Sequence, residues 1–211
     1  AACNIVGTAA PNVINCDGAN DVVNALGGDD EISSGGGNDT VFTGSGDDTA
    51  NLGSGNDFGD GGECGIVLLC LIDGTSDTIN GGDGKDRILG GDGIDNLNGE
   101  GGGDKIWGEL GNDVLNGGGG ADQVYGGPGN DAITGGSGGD TLADGIGSDT
   151  VLAGSGDDFI FVKNDATFDT INCGTGFDTV SEFLGGNAYI GCEQDSDLFS
   201  AGDDDGPPAP R

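Results

Sequence analysis

The sequence predicts an all-β fold, a solenoid of short strands stacked along one axis, on three observations. First, residues 81–161 are nine consecutive nine-residue units of one pattern with no slip in register, opening with GGDGKDRIL and GGDGIDNLN and reaching GGPGNDAIT. Second, the sixth position is Asp in every unit: Asp86, Asp95, Asp104, Asp113, Asp122, Asp131, Asp140, Asp149 and Asp158. Third, the eighth position is always Ile, Leu or Val, running Ile88, Leu97, Ile106, Leu115, Val124, Ile133, Leu142, Val151 and Ile160.

Each part of a unit has a physical reason. Glycine at the first, second and fourth positions permits positive φ and close backbone approach, so the first six residues are expected to form a tight turn with inward carbonyls. The last three read as a short strand that buries one side chain. Two units then make a coil of eighteen residues with a strand on each side. Coils stack at the inter-strand spacing of roughly 4.8 Å, which places aspartates eighteen residues apart, such as Asp86 and Asp104, one above the other. Stacked carboxylates repel unless a cation lies between them. Calcium binds oxygen at about 2.3–2.6 Å, half the rung spacing, and accepts turn carbonyls as further ligands; magnesium, at about 2.0–2.1 Å with rigid octahedral geometry, fits less well.

These residues resemble the calcium-binding nonapeptide of RTX (repeats-in-toxin, hemolysin-type) proteins, and the resemblance covers the chain from about Cys3 to Cys192. It implies a right-handed parallel β-roll, a β-solenoid with calcium ions in the turns. It also implies that the position-six aspartates are metal ligands: the nine above together with Asp21, Asp30, Asp39, Asp48, Asp57, Asp77, Asp169 and Asp178. Two units depart from the pattern, GEGGGDKIW and GELGNDVLN, where Glu100 and Glu109 replace the second glycine and are expected to weaken their sites without abolishing them.

Composition points the same way. Fifty glycines and 33 % hydrophobic residues leave little to bury, and 38 acidic against five basic residues give a formal charge of −33. A chain of this kind without metal is expected to be expanded, so folding should be coupled to metal binding. About nineteen half-turns in two columns imply on the order of 15 calcium ions, enough to cancel most of the charge. Nucleic acid is excluded as a partner by the same charge. No apolar run reaches the length of a membrane span. Six cysteines in a chain with no His argue for disulfides rather than zinc, hence for a secreted, extracellular protein. No signal peptide is seen; the Ala-Ala start just before Cys3 is expected of a mature chain after cleavage, as of any trimmed one.

One β-roll is expected over residues 1–193, followed by a disordered acidic, Pro-rich tail over 194–211. Residues 1–20 read as an N-terminal cap, with Cys3 and Asn12 at position six in place of carboxylates and Ile5 and Ile14 at position eight. Ala50 and Gly59 thin the core ahead of a break, where Asp77 follows Asp57 by twenty residues rather than eighteen. One half-turn is expected to be lost or remodelled there. Residues 61–76 form an apolar insertion, which a Cys64–Cys70 disulfide would close. Its segment Ile66 to Ile72 reads either as an exposed tab for a partner or, more simply, as a cover folded over a sheet face. After Asp158 the frame slips by two through FVKNDATFDTI, a pattern expected of a β-bulge. Residues 182–193 form the C-terminal cap, with Asn187 and Tyr189 in the last row. Fifteen disulfide pairings are open in principle. The favoured set is Cys3–Cys16, Cys64–Cys70 and Cys173–Cys192, the last because nineteen residues is close to one coil.

Positions seven and nine face outward, and alternate units separate the sheets. One sheet carries Arg87, Lys105, Gln123, Thr141 and Phe159 at position seven, and Leu89, Trp107, Tyr125, Ala143 and Phe161 at position nine. Leu89, Trp107, Tyr125 and Phe161 are therefore a candidate face for a protein or glycan partner, although stacking along the ladder is the simpler reading. The other sheet carries Asn80, Asn98, Asn116 and Thr134. Either a monomer or a weak dimer is expected.

The function expected is a secreted calcium-binding β-roll, structural or adhesive, that folds on extracellular calcium. The alternatives are an ice-binding or glycan-binding solenoid and, less favoured, a non-catalytic fragment of a larger RTX enzyme. An enzyme is not expected: the chain has no His for a triad or an HExxH site, and the regular aspartates already have a metal role. Ice binding is disfavoured because position three, from Asp83 through Leu110 and Pro128 to Ile146, lacks the regularity of a lattice match.

Overall fold

The computed structural model describes residues 2–61, 76–163, 165, 167–182 and 187–192. Among them, twenty strands from Asn4–Thr8 to Ala188–Ile190 alternate between two ten-stranded sheets, each strand bonding to the strands two before and two after it in the chain. All pairs are parallel. The register is the repeat length itself: Leu97 lies opposite Leu115, Ile106 opposite Val124 and Ile133 opposite Val151. This architecture is a β-solenoid, as the nine-residue period predicts.

The strands are longer than the three residues expected. In the middle of the roll they run for six or seven, as in Arg87–Gly93 and Val114–Gly120, because the ladder continues past the buried position-eight residue into the glycine turn. Gly118 thus pairs with Gly136, and Gly127 with Gly145. Position two tolerates a side chain in this ladder, since Glu100 pairs with Gly82, whereas at position four a Cβ on Gly120 would collide with the carbonyl oxygen of Gly102.

The core is a double file of position-eight side chains, with Ile79, Ile88, Leu97, Ile106, Leu115, Val124 and Leu142 fully buried. The thinning at Ala50 and Gly59 is real but filled. Leu52, at position one, turns inward and is fully buried, and a Cβ on Gly59 would lie 3.1 Å from both Leu52 Cδ1 and Ile79 Cγ2. One large residue has moved along the chain to occupy the space that two small ones leave.

At the first break the half-turn is remodelled rather than lost. Thr49 pairs with Thr78 and Phe58 with Arg87, each 29 residues apart, so no half-turn is lost: eleven residues beyond the eighteen of one coil are inserted in a single turn. Asp77 belongs to the half-turn directly after Asp57 and stands over Asp48, while Asp86 stands over Asp57. Register in a parallel sheet is set by which side chain faces the core, so the strands hold their order and the turn absorbs the excess. The second break is not a bulge. Thr150 pairs with Thr170 and Phe159 with Thr179 in unbroken ladders, which puts the two extra residues in the turn between Val162 and Thr170. The Cys64–Cys70 pairing, the Ile66 to Ile72 segment and the tail over 194–211 lie outside the described residues.

The outermost described rows continue the two ladders. Ile5 pairs with Val23, Ile14 with Ile32 and Tyr189 with Ile171. Disulfides join Cys3 to Cys16 and Cys173 to Cys192, with Cα separations of 5.7 and 5.0 Å.

Glu100 and Glu109 keep the turn conformation of the glycines they replace, at φ of 69° and 71°. A left-handed conformation costs a side-chain-bearing residue roughly 1–2 kcal/mol, partly offset by the greater freedom of glycine in the unfolded chain. Glu100→Gly is expected to stabilise the calcium-loaded protein by about 0.5–1 kcal/mol, and Gly120→Ala to destabilise it severely, both read as shifts in thermal unfolding.

Candidate metal centre

The turns hold two columns of aspartates. Each position-six backbone N–H donates to Oδ1 of the aspartate one coil later. One column runs from Asp21 through Asp39, Asp57, Asp86, Asp104, Asp122, Asp140 and Asp158 to Asp178, at 2.8–3.0 Å. The other runs from Asp30 through Asp48, Asp77, Asp95, Asp113, Asp131 and Asp149 to Asp169, at 2.7–3.0 Å. Cys3 and Asn12 start the columns by donating to Asp21 and Asp30, and the side-chain oxygen of Asn187 ends the second by accepting from Asp169. All seventeen sequence-predicted aspartates therefore fall in two files, each no more than 4 % exposed.

Stacked carboxylates thus meet through a backbone N–H rather than directly, and this hydrogen bond occupies only one oxygen of each. On Asp86, Asp104, Asp113, Asp122, Asp131 and Asp140, among others, Oδ2 is buried with no hydrogen-bond partner. Position-one glycines show what surrounds it. A Cβ on Gly117 would lie 2.6 Å from both Asp122 Oδ2 and the carbonyl oxygen of Gly135, and one on Gly108 equally close to Asp113 Oδ2 and Gly126 O. Glycine at position one therefore keeps open a space lined by an orphaned carboxylate oxygen and a backbone carbonyl. An all-oxygen environment with anionic character suits a hard cation of calcium's kind, so the residues present fit the ion.

Electrostatics mark the same atoms. Burial pushes the carboxyls of Asp104 and Asp131 up to about 7, against the lowering effect of the backbone N–H each accepts, and the neighbouring aspartates in the column add to the rise. Asp48, Asp57, Asp140 and Asp149 are raised to about 6, again chiefly by burial.

The RTX calcium-binding nonapeptide repeat matches residues 4–32, 17–50, 33–63, 73–97, 98–133 and 134–166, well over half of the chain. The chain belongs to the RTX calcium-binding repeat family. No curated protein matches it significantly. The molecule is a calcium-binding RTX β-roll, and among the described residues no helix is long and apolar enough to cross a membrane.

Sequence reasoning missed two features of the RTX roll. Position five carries a second ladder: Asn38 and Asn56 donate their backbone N–H to the side-chain oxygens of Asn20 and Asn38, and Asn130 and Ser148 to those of Asn112 and Asn130. The repeated Asn or Asp at this position was the available signal. The second is Asp144, at position one of DGIGSDTVL, where every other unit between residues 81 and 161 has Gly or Ala. It is buried, and burial raises its carboxyl to about 7, against the backbone N–H bonds of Lys163 and Gly145 and with the charges of Asp169 and Asp149 adding.

The candidate partner face is a side-chain stack. Trp107 lies on Tyr125 with ring centroids 5.5 Å apart and 10° between planes, and the Arg87 guanidinium sits 5.1 Å from the Trp107 ring and 5.4 Å from Phe58. Phe42 packs edge-on against Phe58, an extension of this face that the eleven-residue insertion conceals in sequence. Ala143 separates Tyr125 from Phe161, which instead meets Phe159, and Leu89 pairs with Trp107 in the ladder. On the opposite sheet, Asn116 Nδ2 donates to Asn98 Oδ1.

The pH dependence of the RTX roll follows from the raised carboxyls. A group whose folded pKa lies above its ordinary 3.8 stabilises the fold fully below that value and ceases to do so as pH rises through about 6–7. With calcium removed, the β signal in circular dichroism is expected to be stronger near pH 5 than near pH 7.5. With calcium present, the ion competes with protons, so the calcium midpoint should rise as pH falls below about 6.

Proposed function

We propose that this RTX roll is a secreted, non-catalytic structural or adhesive module that is expanded without calcium and becomes rigid at extracellular calcium concentrations. In this reading the ligands are Oδ2 of the position-six aspartates and the carbonyls of the glycine turns, in two columns holding on the order of 15 ions. The observation that carries it is the orphaned, buried Oδ2 repeated along both columns, one oxygen of each carboxylate being already committed to the rung-to-rung hydrogen bond. So many desolvated carboxylates in a chain of charge −33 make the folded state unfavourable unless cations neutralise them. The two disulfides support an oxidising, extracellular setting. A glycan-binding role for the aromatic face is disfavoured, because Trp107 lies between Arg87 and Tyr125 and its ring faces are occupied within the sheet.

A calcium titration followed by far-UV circular dichroism tests this. A cooperative coil-to-β transition, much weaker with magnesium, is expected; a full β signal persisting in chelator at neutral pH would overturn it. Asp104→Asn keeps an acceptor for the Asp86 N–H while removing the charge. It should lower the number of ions bound by one or two and reduce cooperativity, whereas unchanged stoichiometry by calorimetry would remove the position-six aspartates from the ligand set.

A further inference from the structure

Asp144 breaks the rule that position one holds a small residue, and it does so where the roll is irregular. Its half-turn, ending at Asp149, stacks against the expanded turn that ends at Asp169, twenty residues on rather than eighteen. That turn is tied to the Asp144 half-turn through Gly147, whose N–H donates to Asp165 Oδ2 and whose carbonyl accepts from Thr167 Oγ1.

Within this frame the Asp144 side chain points into the interior, only 1 % exposed. Its Oδ1 is occupied, accepting the backbone N–H of Gly145 at 2.6 Å and of Lys163 at 2.9 Å. Its Oδ2 is buried with no hydrogen-bond partner, and so is Oδ2 of Asp149. One carboxylate oxygen from each of Asp144, Asp149 and Asp169 lies within 4.8 Å of the other two. Elsewhere along the columns a turn contributes its own position-six carboxylate and that of the next coil. Here a third joins them, from a position where a regular unit has only a hydrogen atom.

We propose that Asp144, Asp149 and Asp169 form a cation site distinct from the regular repeat sites, taking a hard ion of calcium's size and holding it more tightly than any regular turn does. The inference rests on the calcium-binding reading of the repeats and adds to it a ligand outside the nonapeptide pattern. Three carboxylates that converge without an ion repel one another, whereas an ion with six to eight oxygen ligands neutralises them. The longer turn supplies the room that a third side-chain ligand needs. Because affinity for calcium rises with the number of charged ligands, this is the first site to fill and the last to empty.

The test is the calcium retained per chain, measured by atomic emission after dialysis against buffers of graded free calcium, for the wild type and two variants. Asp144→Asn keeps Oδ1 as acceptor for both backbone N–H groups and removes only the charge. Asp144→Gly restores the residue that regular units carry, so the repeat itself argues that it folds. The expected result is that the most tightly held ion of the wild type is released from both variants at free calcium on the order of tenfold higher or more, with the remaining ions unaffected. If the wild type loads calcium and its tightest ion is indifferent to both substitutions, this proposal is overturned while the repeat reading stands, and Asp144 is a buried hydrogen-bonding group that carries a proton. A wild type that takes up no calcium overturns both.

Discussion

The structure depends on one divided carboxylate. At each position-six aspartate, Oδ1 accepts the backbone N–H of the aspartate one coil before, which ties the turns into columns at the spacing of the sheets. In both columns, as at Asp113 and Asp122, the other oxygen is left buried beside a carbonyl. The first bond stabilises the stack, while the second arrangement costs it desolvation and repulsion. These opposing terms fall on the same side chain and repeat along both files. A cation bound at these oxygens offsets the second term, which is the physical basis of the proposed coupling of folding to calcium.

Other interactions act in the same direction at smaller scale. Position-five Asn and Asp residues add a second line of side-chain-to-backbone bonds along the exposed edge of the turns. The Phe58, Arg87, Trp107 and Tyr125 stack and the Asn98 to Asn116 bond do the same on the outer faces of the sheets. Each is a consequence of exact stacking, because a residue in a parallel in-register sheet meets its counterpart one coil away. Rows that lack a carboxylate, at Cys3, Asn12 and Asn187, sit at the ends, where a disulfide holds the chain instead.

The regular parts were legible because a nine-residue period leaves few choices. Asp86 over Asp104, Ile106 in the core and Trp107 beside Tyr125 all follow from counting by eighteen. The irregular parts were not. A spacing of twenty between Asp57 and Asp77 suits a coil with two extra residues as well as a half-turn with eleven, and no local signal separates the two. Only the observed pairing of Phe58 with Arg87 puts Phe42 and Phe58 on the aromatic face. Leu52 and Asp144 escaped for a related reason: position one carries glycine so often that it reads as turn, whereas in the structure it points inward and can deliver a side chain to the core or to a metal site.

By itself the sequence determined the period, hence the solenoid, the core file and the aspartate columns. Each follows from translation by a fixed number of residues, a property that composition and spacing express directly. Tertiary structure alone decided how far the ladders run into the turns, which strands face each other across the two breaks, and which oxygen of each carboxylate is already occupied. It alone brought Asp144 to Asp149 and Asp169. Those outcomes depend on how the chain closes each coil on the one below it, and closure is a matter of distance in space that residue counting does not measure.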